Sequence, residues 1–324
     1  MLLTLQNKVK KFSHTHEFYL LIVDLLLIAL LGIFTKGKFV TLENFGDMMV
    51  GYSSLGIMSA GVLVVLISGG IDISFPAVAT VAQYIMALYI LHIDGNMVIA
   101  FAVASVVGIL LGGINALLVH YLKAPTIIIT IATMNVFYGI LMWISNGTWL
   151  YNFPKWFSNK TPFTSMAIPL IILLFSMLAT SIMLNYTNIG RKIFAIGGNM
   201  EAAKRAGINI LKMQLFIYAY VGMMAGIGAT VQAYIVQNVA PNSLMGSEMQ
   251  VLAMVVLGGA SLTGGRGTVH GTVLGLILVA MIGNGLVLLG VSSYWHNVCM
   301  GTIILLSFCM TALRVKRKDR GGAL

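Results

Sequence analysis

The sequence predicts an all-α polytopic membrane protein of about ten transmembrane helices with both termini in the cytoplasm. Three observations predict this class. Hydrophobic residues fill 59% of the 324 positions and charged residues only 9%, whereas a soluble domain carries about 25% charge. That balance excludes a water-soluble fold and a disordered chain. The apolar residues fall in runs matching the ~20 residues that a helix needs to cross a bilayer. The chain also holds 35 glycines, and small residues let membrane helices approach closely.

The elements follow in order. Residues 1–17 form a cytoplasmic N-terminal segment with Lys8, Lys10 and Lys11, and the first span runs over 18–34. No small-residue cleavage site follows that run, so it reads as an anchor and not as a signal peptide. Spans at 48–68, 74–91, 97–122, 126–145 and 166–185 come next, then a polar stretch at 186–212. Spans at 213–237, 247–263, 268–290 and 297–313 complete the ten, before a basic tail at 314–324. Two of the boundaries are short. Gly69-Gly70-Ile71-Asp72 interrupts 48–91, and Thr263-Gly264-Gly265-Arg266-Gly267 interrupts 247–290. Runs of that length equal about two bilayer widths, so each is read as two spans. Ile67-Ser68-Gly69-Gly70 echoes Leu257-Gly258-Gly259, too short a match to define an internal repeat. The whole chain reads as a single transmembrane domain over 1–324.

Charge sets the orientation. With the N-terminus inside, all but four of the 19 Lys and Arg fall in cytoplasmic segments; Lys36, Lys38, Lys155 and Lys160 lie outside. Cytoplasmic loops carry the excess of Lys and Arg, so this split puts both ends inside. The net charge of +10 therefore reports topology and not a nucleic-acid surface. Cys299 and Cys309 lie in one apolar run, about 15 Å apart on a helix, too far for a disulfide. The outer loop 146–165 carries Trp149, Tyr151, Phe153, Trp156 and Phe157. It reads as an interfacial aromatic belt or as a docking surface or lid for something outside.

Chemistry is sparse. The sequence holds no phosphate-binding P-loop, zinc-protease or nucleophile-elbow motif, and its histidines lack metal-ligand spacing. Asp24 lies about a third of the way into the first span, Asp72 in a break and Glu248 at a span edge. Coupled carriers place carboxylates at mid-membrane, so this scarcity weighs against one. An unpaired charge at the position of Asp24 costs about 3 kcal/mol on insertion scales, so it is expected to meet a polar neighbour or to snorkel. Asp72 either caps the next helix or lines the inner mouth. Gln83 and Asn135 fall within spans, and Tyr138 lies near Asn135; such groups make interhelical hydrogen bonds or meet a solute. The spans hold no Lys or Arg. An anion in such a path would be unpaired and costly, so a neutral, hydroxyl-rich solute fits best.

The stretch 186–212 carries the strongest signal. Within Gly198-Asn199-Met200-Glu201-Ala202-Ala203-Lys204-Arg205-Ala206-Gly207, Asn199 is a good N-cap and Glu201 suits the positive helix end. Lys204 and Arg205 suit the last turn, and Gly207 stands where a helix stops in the left-handed conformation. The pattern predicts a short helix at 200–206 with a small face of Ala202, Ala203 and Ala206. That is either an ordinary capped loop helix or a knob for a partner's groove.

Glu201-Ala202-Ala203 followed by Gly207 resembles the Glu-Ala-Ala…Gly loop of ABC importer permeases. The neighbouring stretches narrow the resemblance to the ribose-type permeases of bacterial simple-sugar importers. These are Ser68-Gly69-Gly70-Ile71-Asp72-Ile73-Ser74, Ala195-Ile196-Gly197-Gly198-Asn199, Val255 to Gly267, and Asn284-Gly285-Leu286-Val287. The fuller loop pattern continues to a Leu-Pro pair; here no proline follows Gly207 before Pro241. The resemblance covers the chain from about position 40 onward. It implies a permease subunit in the bacterial inner membrane that forms the path for a neutral sugar or polyol. The partners it implies are a cytoplasmic ABC ATPase, an extracytoplasmic solute-binding protein and a second permease subunit, homo- or heteromeric. It implies that Asn199, Glu201, Ala202, Ala203 and Gly207 form the coupling helix between spans six and seven. Arg266 is either a second ATPase-facing residue or a topology marker. No cofactor is expected in this chain, with ATP and magnesium on the ATPase. A nucleoside-type permease and a self-contained secondary carrier stay open as alternatives.

Overall fold

The structure, a computed structural model, describes residues 16–292 together with Trp295, Val298, Gly301, Thr302 and Leu305. Most of the expected tenth span at 297–313, both cysteines, residues 1–15 and the tail 314–324 lie outside the described residues. The elements are α1 His16–Phe34, α2 Leu42–Ile67, α3 Phe75–His92, α4 Met97–Leu122, α5 Thr126–Ser145 and α6 Lys155–Ser158. They continue with α7 Pro162–Tyr186, α8 Asn188–Gly198, α9 Met200–Arg205, α10 Ile210–Val236, α11 Glu248–Leu257 and α12 Val269–Leu288. Among the described residues the only β-type pairing is the antiparallel bridge of Leu150 with Val239.

Among the described residues, eight helices are long and apolar enough to cross a membrane: α1, α2, α3, α4, α5, α7, α10 and α12. The expected span at 247–263 is different. Its helix, α11, has 10 residues, about 15 Å, which is half a crossing. Pro241, Asn242 and Gly246 keep 240–247 in successive turns, with the amides of Ser243, Met245 and Ser247 bonded three residues back. Gly258 and Gly259 then stop the helix. Gly259 takes φ +90°, open to glycine at little steric cost. Its amide and that of Ala260 reach Val256 and Val255. Gly69, at φ +84°, ends α2 in the same way, its amide and that of Gly70 reaching Leu66 and Val65. The short sequence echo is thus a shared helix-stop geometry. Two starts come earlier than expected: α2 begins beside the N-cap Thr41 and α7 beside Thr161, whose hydroxyls accept from the amides of Asn44 and Thr164.

α2 is the centre of the bundle. Its residues from Ile57 to Ile67 are all buried, as expected for a helix that is apolar on every side. α7, α10, α11 and α12 pack around it, and α4 joins through α10. The α4–α10 contact is made by glycines. A Cβ on Gly108 would stand 2.0 Å from the Gly222 carbonyl oxygen, and one on Gly222 1.9 Å from that of Gly108. Backbones in contact gain dispersion energy where lipid offers no hydrophobic drive. α1 packs on α12, near Leu31, Leu278 and Met281. This placement corrects the expectation for Asp24. Its side chain neither snorkels nor meets a polar neighbour, but is buried with no hydrogen-bond partner among the described residues.

The loop 146–165, expected on the outer side, divides its aromatics. Phe153 and Phe157 are buried against Tyr234, and the Phe157 and Tyr234 rings stand edge to face at 5.7 Å. Trp156 Nε1 donates to Asp94 at 2.6 Å. Trp149 and Tyr151 stack at 6.2 Å and are exposed.

Candidate functional site

The end of the bundle that the charge pattern assigns to the cytoplasm carries two helices. α8 begins directly after α7, with the Thr187 hydroxyl accepting from the Gly190 amide. Ile193 and Ile196 are buried, while Arg191 and Lys192 point away from the bundle. Sequence reasoning missed this helix; the spacing of Ile189, Ile193 and Ile196 at i, i+4 and i+7 was the available signal. Asn188, Arg191, Lys192, Ala195 and Ile208 line an open groove beside it. Asn199 then caps α9, its Oδ1 accepting from the Ala202 amide at 2.9 Å. At the other end Gly207 takes φ +84°, and the Ile208 amide reaches the Ala203 carbonyl at 3.1 Å, which closes a Schellman stop.

One part of the expected face turns out differently. Glu201, Ala202 and Ala206 are exposed, but Ala203 is buried at 4% exposure. It joins the core cluster that contains Ile193 and Ile196. A six-residue helix lying on the bundle must give one face to it, and Ala203 is on that face. Of the expected face, Glu201, Ala202 and Ala206 stay outward, beside the exposed Met200, Lys204 and Arg205.

Behind α9 three distant segments meet backbone to backbone. A Cβ on Gly197 would stand 1.7 Å from the Ile67 carbonyl oxygen and 2.6 Å from the Gly265 nitrogen. One on Gly264 would stand 2.7 Å from both the Gly197 oxygen and the Gly69 Cα. The Gly265 amide donates to the Ile67 carbonyl at 2.8 Å. The end of α2, the end of α8 and the loop after α11 thus form one glycine junction. Arg266 sits at its rim, exposed, and its carbonyl accepts from the Ser261 amide at 3.0 Å. Sequence reasoning singled out each segment but not their meeting.

The non-helical stretch 68–74 leads from this junction into the bundle. Asp72 is 2% exposed. Its Oδ1 accepts from the Ser74 amide at 2.7 Å and from the Ser74 hydroxyl at 2.6 Å. Asn115 Nδ2 in turn donates to Ser74 Oγ at 2.6 Å. Burial pushes the Asp72 carboxyl above its ordinary range, against the pull of hydrogen bonds from Ser74 and Phe75. Asp72 therefore holds the start of α3 and does not face an open mouth.

The other polar candidates lie apart. Gln83 is fully buried, donating through Nε2 to the Ala229 carbonyl at 2.9 Å and accepting from the Ser243 hydroxyl. It stands eight residues into α3, about 12 Å from its start, so Ser243 lies at depth although outside any helix. Irregular backbone is tolerated at that depth only inside protein or along a water-filled cavity. Asn242 and Ser243 are exposed there and were missed by sequence reasoning; Pro241-Asn242 inside an apolar region was the signal. Asn135 is exposed midway along α5, its Nδ2 donating to the Ile131 carbonyl at 2.8 Å. Tyr138, three residues on, is half-buried on the same side. Asn135 and Tyr138 thus share one face of α5, and Gln83 is tied elsewhere, between α3 and α10.

Comparison with known proteins places the chain. The family described as branched-chain amino acid transport system / permease component matches residues 44–308. The ribose import permease protein of Escherichia coli is 31% identical over 89% of this chain and 91% of its own length. That of Bacillus subtilis is 30% identical over 78% of this chain and 79% of its own. The autoinducer 2 import system permease protein of Yersinia pseudotuberculosis is 28% identical over 92% and 85%. No solved structure matches. The chain belongs to this family of ABC importer permeases and is a multi-pass membrane protein.

Proposed function

We propose that this permease forms half of an ATP-driven importer for a neutral sugar or sugar-like polyol in the bacterial inner membrane. A separate cytoplasmic ATPase hydrolyses ATP and binds α9. A solute-binding protein delivers the solute at the outer face, and a second permease subunit completes the path. The observation that carries the reading is the exposed Glu201-Ala202 surface of α9, backed by the glycine junction. Such a knob puts the small Ala202 beside the Glu201 carboxylate on its outward side, with a backbone-rigid base behind, which is what a partner's groove needs if it is to push.

The second permease subunit is supported by Asn135. An amide midway along a span is costly against lipid, yet Asn135 lies on an exposed face among Ile128, Ile131 and Val136. Facing a second subunit or a watered path satisfies it. The neutral solute is supported by the spans themselves. Among the eight described spans the sole Lys or Arg is Lys212, in the first turn of α10. Hydroxyls and amides exchange hydrogen bonds with water at small net cost, so a polyol can enter and leave. The ribose and autoinducer 2 relatives point the same way.

The test is uptake into vesicles that hold the permease with its ATPase and binding protein. Neutral sugars, sugar phosphates and branched-chain amino acids are offered with ATP, or with a proton or sodium gradient alone. ATP-dependent uptake of a neutral sugar is expected. Gradient-driven uptake without ATP, or preference for a charged solute, overturns the reading.

A further inference from the structure

The stretch 68–74 is held from two sides. On one side its preceding residue Ile67 and its own Gly69 are locked into the glycine junction with Gly197, Gly264 and Gly265. On the other side it is tied to α5 by two threonines. The Ile71 amide donates to Thr126 Oγ1 at 2.9 Å, and the Ile73 amide to Thr130 Oγ1 at 3.2 Å. The Thr130 hydroxyl reaches back to the Ile71 carbonyl at 3.2 Å. Backbone groups inside a membrane protein must find partners, and here α5 supplies them.

Within the subunit α5 is less enclosed than α2. It packs on α3 and α4, and 28% of its apolar window is buried, against 78% for α2. A helix with few buried contacts moves at lower cost than the core around it. Thr130 lies five residues before Asn135, about 7.5 Å along one rigid helix. A backbone-to-backbone route therefore links the end of α8, next to α9, with α5. It passes from Gly197 to Ile67 and Gly265, then along 68–74, then through the threonine hydroxyls.

We propose that Thr126 and Thr130 are positioning residues that tie the ATPase-facing helix to α5, the span that carries Asn135 and Tyr138. This rests on the reading of α9 as the ATPase contact. Thr130→Val keeps the shape and removes the hydroxyl; Thr130→Ser keeps the hydroxyl and removes the methyl. The measurement is solute moved per ATP hydrolysed, in vesicles holding the permease, its ATPase and its binding protein. The Thr130→Val complex should assemble and hydrolyse ATP at the basal rate, while solute per ATP falls by about tenfold, within the usual range of site-to-site coupling. Thr130→Ser should restore most of it. Thr126→Val, which loses one bond at the helix start, should show a smaller fall of the same kind and carries the test if Thr130→Val does not assemble. An unchanged ratio in an assembled variant overturns the proposal, as does loss of assembly in both valine variants. A wild-type permease that imports solute with no ATPase present would instead sink the reading of α9.

Discussion

At the end of the bundle that the charge pattern places inside, Gly69, Gly197 and Gly264 meet backbone to backbone, whereas at the opposite, outer end Phe153, Phe157 and Tyr234 fill the contact between loop and helix. The two constructions respond differently to force. Side chains re-pack when a neighbour moves, and truncating one leaves a cavity that partly relaxes. Two backbones in contact have no rotamers to spend, so they move together or separate. An outer end of the first kind can adapt to a visiting protein. An inner end of the second kind suits a partner that pushes.

The sharpest break of this comparison is a single methyl. Gly197→Ala places a Cβ 1.7 Å from the Ile67 carbonyl oxygen, while a Cβ at the adjacent Gly198 meets nothing within 4 Å. Gly197→Ala should abolish ATP-driven uptake or the folded protein itself, and Gly198→Ala should leave both within about twofold, as surface changes do. Uptake assays and size-exclusion profiles of the two variants check it. Equal behaviour of the pair would remove the junction from the account.

At the outer end, Phe157→Ala should cost about 3–5 kcal/mol of stability through lost burial and a cavity, read by thermal unfolding in detergent. The variant that still folds should keep the wild-type ratio of solute to ATP. A changed ratio would mean that the outer end also transmits.

The next effect concerns α9. Ala203 is buried and so unsuited to probing an outer contact, but Ala202 is exposed. Ala202→Trp should leave the permease inserted and reduce ATPase co-purification by about tenfold, the scale of one lost interface anchor. Glu201→Arg should act in the same direction. The smallest effect is expected at Asn135→Leu, which should lower uptake by about threefold to tenfold, equivalent to one hydrogen-bonding group of about 1 kcal/mol, with the binding protein's own affinity unchanged. Unaltered uptake would take Asn135 off the path.

The legible parts were those with local causes. Spans such as 97–122 and 126–145 were readable to the residue because apolar length alone defines them, and both match α4 and α5. The cap of α9 was readable because Asn199 and Gly207 act on their own neighbours. The burial of Ala203 was not, since the face a short helix turns inward depends on what lies beneath it. The half-length of α11 was hidden at its far end, where Ala260 and Leu262 prolong the apolar run past the stop at Gly258 and Gly259. The glycine junction was out of reach for a different reason. Gly69, Gly197 and Gly264 are far apart in the chain, and no local preference records that they touch.

Contact between α9 and an ATPase on the cytoplasmic side is open to cross-linking. With Cys299 and Cys309 replaced by alanine, Ala202→Cys and Asn152→Cys are each introduced into permease reconstituted with its ATPase and binding protein, and a short thiol-reactive cross-linker is added. An adduct with the ATPase is expected from position 202 and none from position 152. An ATPase adduct from position 152, or none from position 202 in a complex that still imports solute on ATP, would contradict it.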